Sequence, residues 1–173
     1  RAGDVVFVGC DVGLFATALA YFLVAKEAGL VLAPDDETLL VERLTRPEPM
    51  LGVGRALALS GSCTSCQDVT DGVGRTLFEI SEASDVRIEV RSEDLPIHPV
   101  TRSVAKFLDL PPSQLALGPG LDLSLVGTLR AVHSDDLIRD HALTVCGSVH
   151  EGHGCVAVSR DGSVFDLSTV GWQ

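Results

Sequence analysis

Short β-branched runs alternate with helical stretches along this chain, and that alternation restricts the fold more than any other feature. Asp4 to Val8 reads as a buried strand, closed by Gly9. Gly9 and Gly13 bracket a turn into a helix from Leu14 to Ala28. Pro34-Asp35-Asp36 opens a second helix through Leu44, which Arg46-Pro47-Glu48-Pro49 ends because proline disfavours α geometry in the residue before it. A third helix spans Leu51 to Ser60, and Gly61 to Val69 enters as strand or loop. Val73, Leu77 and Ile80 share one face of a helix from Val73 to Ala83. Val86 to Val90 alternates as a half-exposed strand, and Val100 to Leu108 is helical. A strand over Leu121 to Thr128, a helix over Ser134 to His141 and a strand over Val145 to Val149 follow. Gly152 and Gly154 turn the chain into Cys155 to Ser159, and Asp161-Gly162 signals a hairpin into Val164 to Leu167. Such an order predicts an α/β or α+β layered domain with a mixed β-sheet covered by helices.

Composition narrows the partners. The chain has 173 residues, enough for one domain with its own core, and 46% of them are hydrophobic. A net charge of −11 repels phosphodiester backbones and anionic lipid, so neither nucleic acid nor membrane is expected as a partner. The most apolar segment, Val12 to Ala25, is shorter than the roughly 20 residues a bilayer requires, and no basic segment precedes it. Five cysteines without framework spacing suit a reducing cytoplasm. Arg1 in place of Met reads as an internal cut or a processed end, with sequence expected upstream.

Several stretches, in order, carry a resemblance. They are Arg1-Ala2-Gly3-Asp4, then Leu44-Thr45-Arg46-Pro47-Glu48-Pro49 with Gly54-Arg55-Ala56-Leu57, and Asp68-Val69-Thr70-Asp71-Gly72. Glu82-Ala83-Ser84, Leu95-Pro96-Ile97 and Gly147-Ser148-Val149 with Gly152-His153-Gly154 complete the series. Together they resemble the C-terminal domain of the aminoimidazole ribonucleotide (AIR) synthetase superfamily and, within it, the thiamine-monophosphate kinases. The resemblance covers nearly the whole chain. It implies the C-terminal part of an ATP- and Mg²⁺-dependent phosphotransferase of thiamine diphosphate biosynthesis. The upstream ATP-binding domain would lie before Arg1, a homodimer is possible in such a family, and the fragment alone is expected to be inactive. The run Ser92 to Pro111 also resembles the hydrogenase-maturation carbamoyl dehydratases, through Pro96-Ile97 and Leu108-Asp109-Leu110-Pro111. A third reading is a non-catalytic ligand-binding or assembly domain that keeps the fold.

The candidate site residues follow. Asp68 and Asp71 sit three residues apart on a strand-to-helix turn, where two carboxylates can converge on hydrated Mg²⁺. Thr70 and the free N–H groups of the helix start can meet phosphate, and Gly72 removes side-chain bulk there. The same local pattern also reads as an N-cap by Thr70 or Asp71. The resemblance implies metal ligation by Asp68 and Asp71 and nucleotide contact by Thr70 and Gly72. It further implies substrate contacts at Gly120 and Asp122, in the run Gly118 to Ser124, and at Trp172, the sole tryptophan. Two positions depart from the kinase pattern. Leu121 stands where those proteins carry a substrate-binding glutamate, and Gly13-Leu14-Phe15 replaces a Gly-Asp-Ser turn. Cys63-Thr64-Ser65-Cys66 has a redox or zinc spacing, and Cys146, His150, His153 and Cys155 could gather on a hairpin as zinc ligands. The ordinary reading of all these cysteines is small buried hydrophobes.

Overall fold

The computed structural model describes residues 1–132 and 134–170. Seven strands form one sheet: β1 (Val5–Val8), β2 (Cys63–Asp68), β3 (Arg87–Arg91), β4 (Leu125–Leu129), β5 (Thr144–His150), β6 (Cys155–Val158) and β7 (Val164–Asp166). Their order is β2-β4-β1-β5-β3-β6-β7. Every neighbouring pair is antiparallel except β3 with β6, so the sheet is mixed, as expected.

Both faces of the inner strands are covered, which is why β1 reads as a continuous apolar run. Val6 and Val8 point to one face and Phe7 to the other, following the two-residue period. On the first face they meet Val73, Leu77 and Ile80 of helix α4 (Val73–Ser84) and Leu167. On the second, Phe7 and Leu129 pack on Leu57 of α3 (Leu51–Ser60) and on Leu137 and Ile138 of α7 (Asp135–Asp140). A separate helical cluster joins α1 (Leu14–Ala20), α2 (Pro34–Thr45) and α5 (Pro99–Phe107) around Tyr21, Leu40 and Val104. No helix among the described residues is long and apolar enough to cross a membrane.

Three local expectations differ from the structure. The helix expected to run from Leu14 to Ala28 is α-helical only to Ala20 and continues as a π-turn over Tyr21–Ala25, where the Lys26 N–H donates to the Tyr21 carbonyl at 2.9 Å. The widened turn keeps Tyr21 and Ala25 both inside the helical cluster, and the Tyr21 hydroxyl reaches Glu37 Oε2 at 3.2 Å. The strand expected from Leu121 begins only at Leu125, because residues 118–124 are tied to two turns described below. Between α5 and β4 lies a short helix the periodicity missed, α6 (Pro112–Leu117), with Pro112 at its first turn.

The glycine segment after β5 does not make a hairpin. Gly152 and Gly154, at φ of 116° and 88°, carry the chain over β3, and β6 pairs parallel to β3 on its far side. The Asp161-Gly162 turn does form the β6–β7 hairpin, with Gly162 at φ 86° and the Gly162 N–H donating to Ser159 at 2.8 Å.

Candidate functional site

Three turns meet at one end of the sheet: the segment after β1 (residues 9–13), the segment after β2 (residues 69–72) and the loop 118–124 that enters β4. Backbone hydrogen bonds lock them together. Gly9 N–H donates to the Leu125 carbonyl at 2.8 Å, Val69 N–H to Ser124 at 2.9 Å, and Leu123 N–H to Val69 at 3.1 Å. Leu123 adopts φ 50°, an uncommon conformation for an apolar residue, held by these bonds.

Two glycines allow the approach. Gly72 sits at φ 97° and ψ 153°, a region essentially reserved for glycine. A Cβ there would lie 2.1 Å from the Gly118 carbonyl oxygen. Gly13, at φ 81°, would place its Cβ 2.6 Å from the Ala116 Cα, so α6 packs its backbone directly on the turn after β1. Gly120 is different: its nearest neighbour would be 3.7 Å away, so a side-chain carbon fits.

Asp122 is the keystone of the loop. Its Oδ2 accepts from the Gly13 N–H at 2.8 Å and its Oδ1 from the Phe15 N–H at 3.0 Å, so the carboxylate caps α1. Burial pushes the Asp122 carboxyl above its ordinary value, and the N–H groups of Phe15 and Gly13, with Arg43 nearby, oppose that shift. Cys10 lies in the same corner, its thiol raised by burial and partly offset by a hydrogen bond with Ser124. This cap was not legible beforehand: Asp122 was expected as a substrate contact, and the partners of its carboxylate are 109 and 107 residues away.

Asp68, Thr70 and Asp71 stand on the outer side of the same junction. All three are exposed, whereas Val69 among them and Gly72 just after them are buried. Neither carboxylate nor the Thr70 hydroxyl has a hydrogen-bond or ion-pair partner among the described residues. The N-cap of α4 is Gly72, and no side chain among the described residues caps this helix. The capping alternative for Thr70 or Asp71 is therefore not how the helix begins, and its first N–H groups lack a side-chain acceptor. Among the described residues, no group of three or more His, Cys, Asp or Glu side chains is placed to hold a metal ion. Two carboxylates completed by phosphate oxygens and water fit the habits of Mg²⁺ rather than those of zinc.

The remaining candidates scatter. Cys146 and Cys155 are buried in the core beneath α4, where burial raises both thiols to about 12. His150 is exposed and pairs with Ser148, and His153 pairs with Asp85, so these four residues do not converge. Trp172 lies outside the described residues. Cys63 and Cys66 sit on β2, with Cys66 two residues before Asp68.

A family model described as AIR synthase related protein, C-terminal domain, matches residues 1–113. Thiamine-monophosphate kinase from Pyrococcus horikoshii is 28% identical over 173 residues, all of this chain and 50% of the relative. The Bacillus subtilis thiamine-monophosphate kinase is 33% identical over 134 residues, 75% of this chain and 38% of that protein. The chain thus spans about half the length of the curated relatives it matches. Among solved structures, AaThiL complexed with AMPPCP and TMP superposes with a TM-score of 0.80 at 26% identity, covering 99% of this chain and 51% of that one. Thiamine-monophosphate kinase from Stenotrophomonas maltophilia K279a gives 0.77 at 28% identity, over 91% and 50% of the two chains. Escherichia coli HypE shares the fold, with a TM-score of 0.75 at 18% identity over 100% and 52%. Over most of its length, and with the fold to match, the chain belongs to the family of AIR synthase related protein C-terminal domains.

Proposed function

We propose that this chain forms one wall of the nucleotide site in an ATP- and Mg²⁺-dependent phosphotransferase acting on a small phosphorylated heterocycle. The observation that carries this reading is the presentation of Asp68, Thr70 and Asp71, exposed and unpartnered among the described residues, beside the uncapped start of α4. Free carboxylates suit a hard cation, and free N–H groups suit phosphate oxygens. Asp68 and Asp71 would hold Mg²⁺, Thr70 and the Gly72 backbone would face the nucleotide phosphates, and Gly120 would leave room for the substrate. Bound there, the cation neutralises charge on the transferring phosphate, which suits a reaction governed by positioning and electrostatics. Asp122 acts through Gly13 and Phe15, holding the loop against the turn. Trp172 is proposed as a stacking contact for the substrate ring.

The names of the relatives point to thiamine phosphate as the substrate class and to thiamine diphosphate formation as the product. The relatives' greater length leaves room for an ATP-binding domain, which is proposed as the upstream partner. Inactivity of the present chain alone, a cytoplasmic location and dimerisation are part of the same proposal. Leu121 offers no polar group where the kinase pattern has glutamate, so affinity for thiamine phosphate should be low.

The test uses the complete protein. Asp71→Asn keeps size but removes charge, so nucleotide affinity should fall about tenfold or more with Mg²⁺ present and stay unchanged without it. Equal Mg²⁺·ATP affinity in Asp71→Asn and the parent would remove the metal assignment. ATP turnover by residues 1–173 alone, measured by phosphate release, would refute the divided site.

A further inference from the structure

The pair Cys63 and Cys66 is not used by that site, and β2 arranges it in a particular way. In a regular strand, residues three apart point to opposite faces. Here the register with β4 slips: Cys63 is opposite Leu129, Ser65 opposite Thr128 and Cys66 opposite Gly127, leaving Thr64 as an extra, bulged residue. The side chains confirm the slip, because the Thr64 and Ser65 hydroxyls both lie 2.7 Å from the Thr128 hydroxyl. The bulge therefore restores Cys63 and Cys66 to one face. There the Cys63 S–H donates to the Ser65 carbonyl at 3.3 Å.

Access matches the arrangement. β2 is an edge strand of the sheet, Cys66 is exposed and Cys63 half-buried. Across from Cys66 stands Gly127, which has no side chain to cover it. Both thiols are free.

We propose that Cys63 and Cys66 are a thiol–disulfide exchange site that closes to an intramolecular disulfide with a low-molecular-weight disulfide as oxidant. One thiolate of the pair attacks one sulfur of glutathione disulfide; that S–S bond breaks and one glutathione thiolate leaves. The other thiol then gives up its proton to solvent and attacks the protein sulfur of the mixed disulfide, expelling the second glutathione thiolate. Two protein thiols are oxidised and one glutathione disulfide is reduced to two glutathiones, so atoms and electrons balance. The second attack is intramolecular because the slipped register keeps both cysteines on one face of β2.

The proposal is tested by incubating the 173-residue chain with glutathione buffers of increasing oxidised fraction, alkylating free thiols and mapping peptides by mass. Cys63 and Cys66 should lose alkylation together and appear in one peptide with an internal disulfide, while Cys10 remains a free thiol. Cys66→Ser should trap glutathione on Cys63. Both thiols staying alkylatable in strongly oxidising buffer, separate glutathione adducts on each, or equal capture at Cys10 would overturn the assignment. The mapping on the unaltered chain stands whether or not the serine variant folds.

Discussion

The Asp122 carboxylate accepts a 2.8 Å hydrogen bond from the backbone N–H of Gly13. That bond, with its 3.0 Å companion from Phe15, joins the loop before β4 to the turn after β1. Removing it leaves two N–H groups without an acceptor in a mostly buried corner. Asp122→Ala should therefore destabilise the chain by about 2 kcal/mol, within the range for lost caps and buried unsatisfied donors. Urea unfolding monitored by circular dichroism measures the change; a loss near zero would show that the cap contributes nothing.

Asp122 also predicts a pH dependence. Its folded-state value is raised above the ordinary 3.8, so folding favours the protonated carboxyl. The stability from that proton is fully present below the ordinary value and is lost as pH rises through the raised folded value. Asp122→Asn cannot titrate. Its stability should change less than that of the parent as pH rises from the ordinary carboxyl value of 3.8 upward. Parallel slopes in urea melts across that range would contradict the assignment.

Gly72 and Gly120 are close in space to the same loop but should respond differently to alanine. At Gly72, the added carbon would meet the Gly118 carbonyl at 2.1 Å in a backbone conformation that only glycine adopts easily. Gly72→Ala should cost about 3 kcal/mol or prevent folding, from strain and overpacking combined. Gly120→Ala has 3.7 Å of clearance and should change stability by under about 0.5 kcal/mol. Thermal melts of both variants check the contrast.

Helix α4 begins without a side-chain cap, so Asp71 and Thr70 should be dispensable for folding. Asp71→Ala and Thr70→Ala are each expected to shift unfolding free energy by less than about 0.5 kcal/mol, whereas a true cap would lose about 1 kcal/mol. Chemical denaturation separates the two outcomes without reference to any ligand.

The reduced Cys63 thiol should alkylate increasingly fast as pH rises, with a midpoint near 7, because its thiolate accepts a hydrogen bond from Cys66. In Cys66→Ala that donor is gone, and the midpoint should move up toward the ordinary thiol value of 9.0. Iodoacetamide rates followed by mass spectrometry give both midpoints; identical ones would show that the thiols do not interact.

Most element types, and the position of the acidic turn, were legible in the residues alone. Val5–Val8 reads as a buried strand, Val73, Leu77 and Ile80 as one helix face, and Asp161-Gly162 as a chain reversal, because these signals lie within a few neighbouring residues. Asp68 to Gly72 was legible for the same reason. The short helix α6 and the π-turn after α1 carried no such local signal. Partnership was left to the tertiary structure. Nothing near Gly152 and Gly154 shows that β3 intervenes between β5 and β6, since strand pairing is chosen by packing across the sheet and not by the turn alone. The α1 cap by Asp122 depends on a contact across 109 residues, and the shared face of Cys63 and Cys66 depends on a register slip against β4. Each of these is a non-local hydrogen-bonding choice, made only once the chain has closed, and so only the folded molecule displays it.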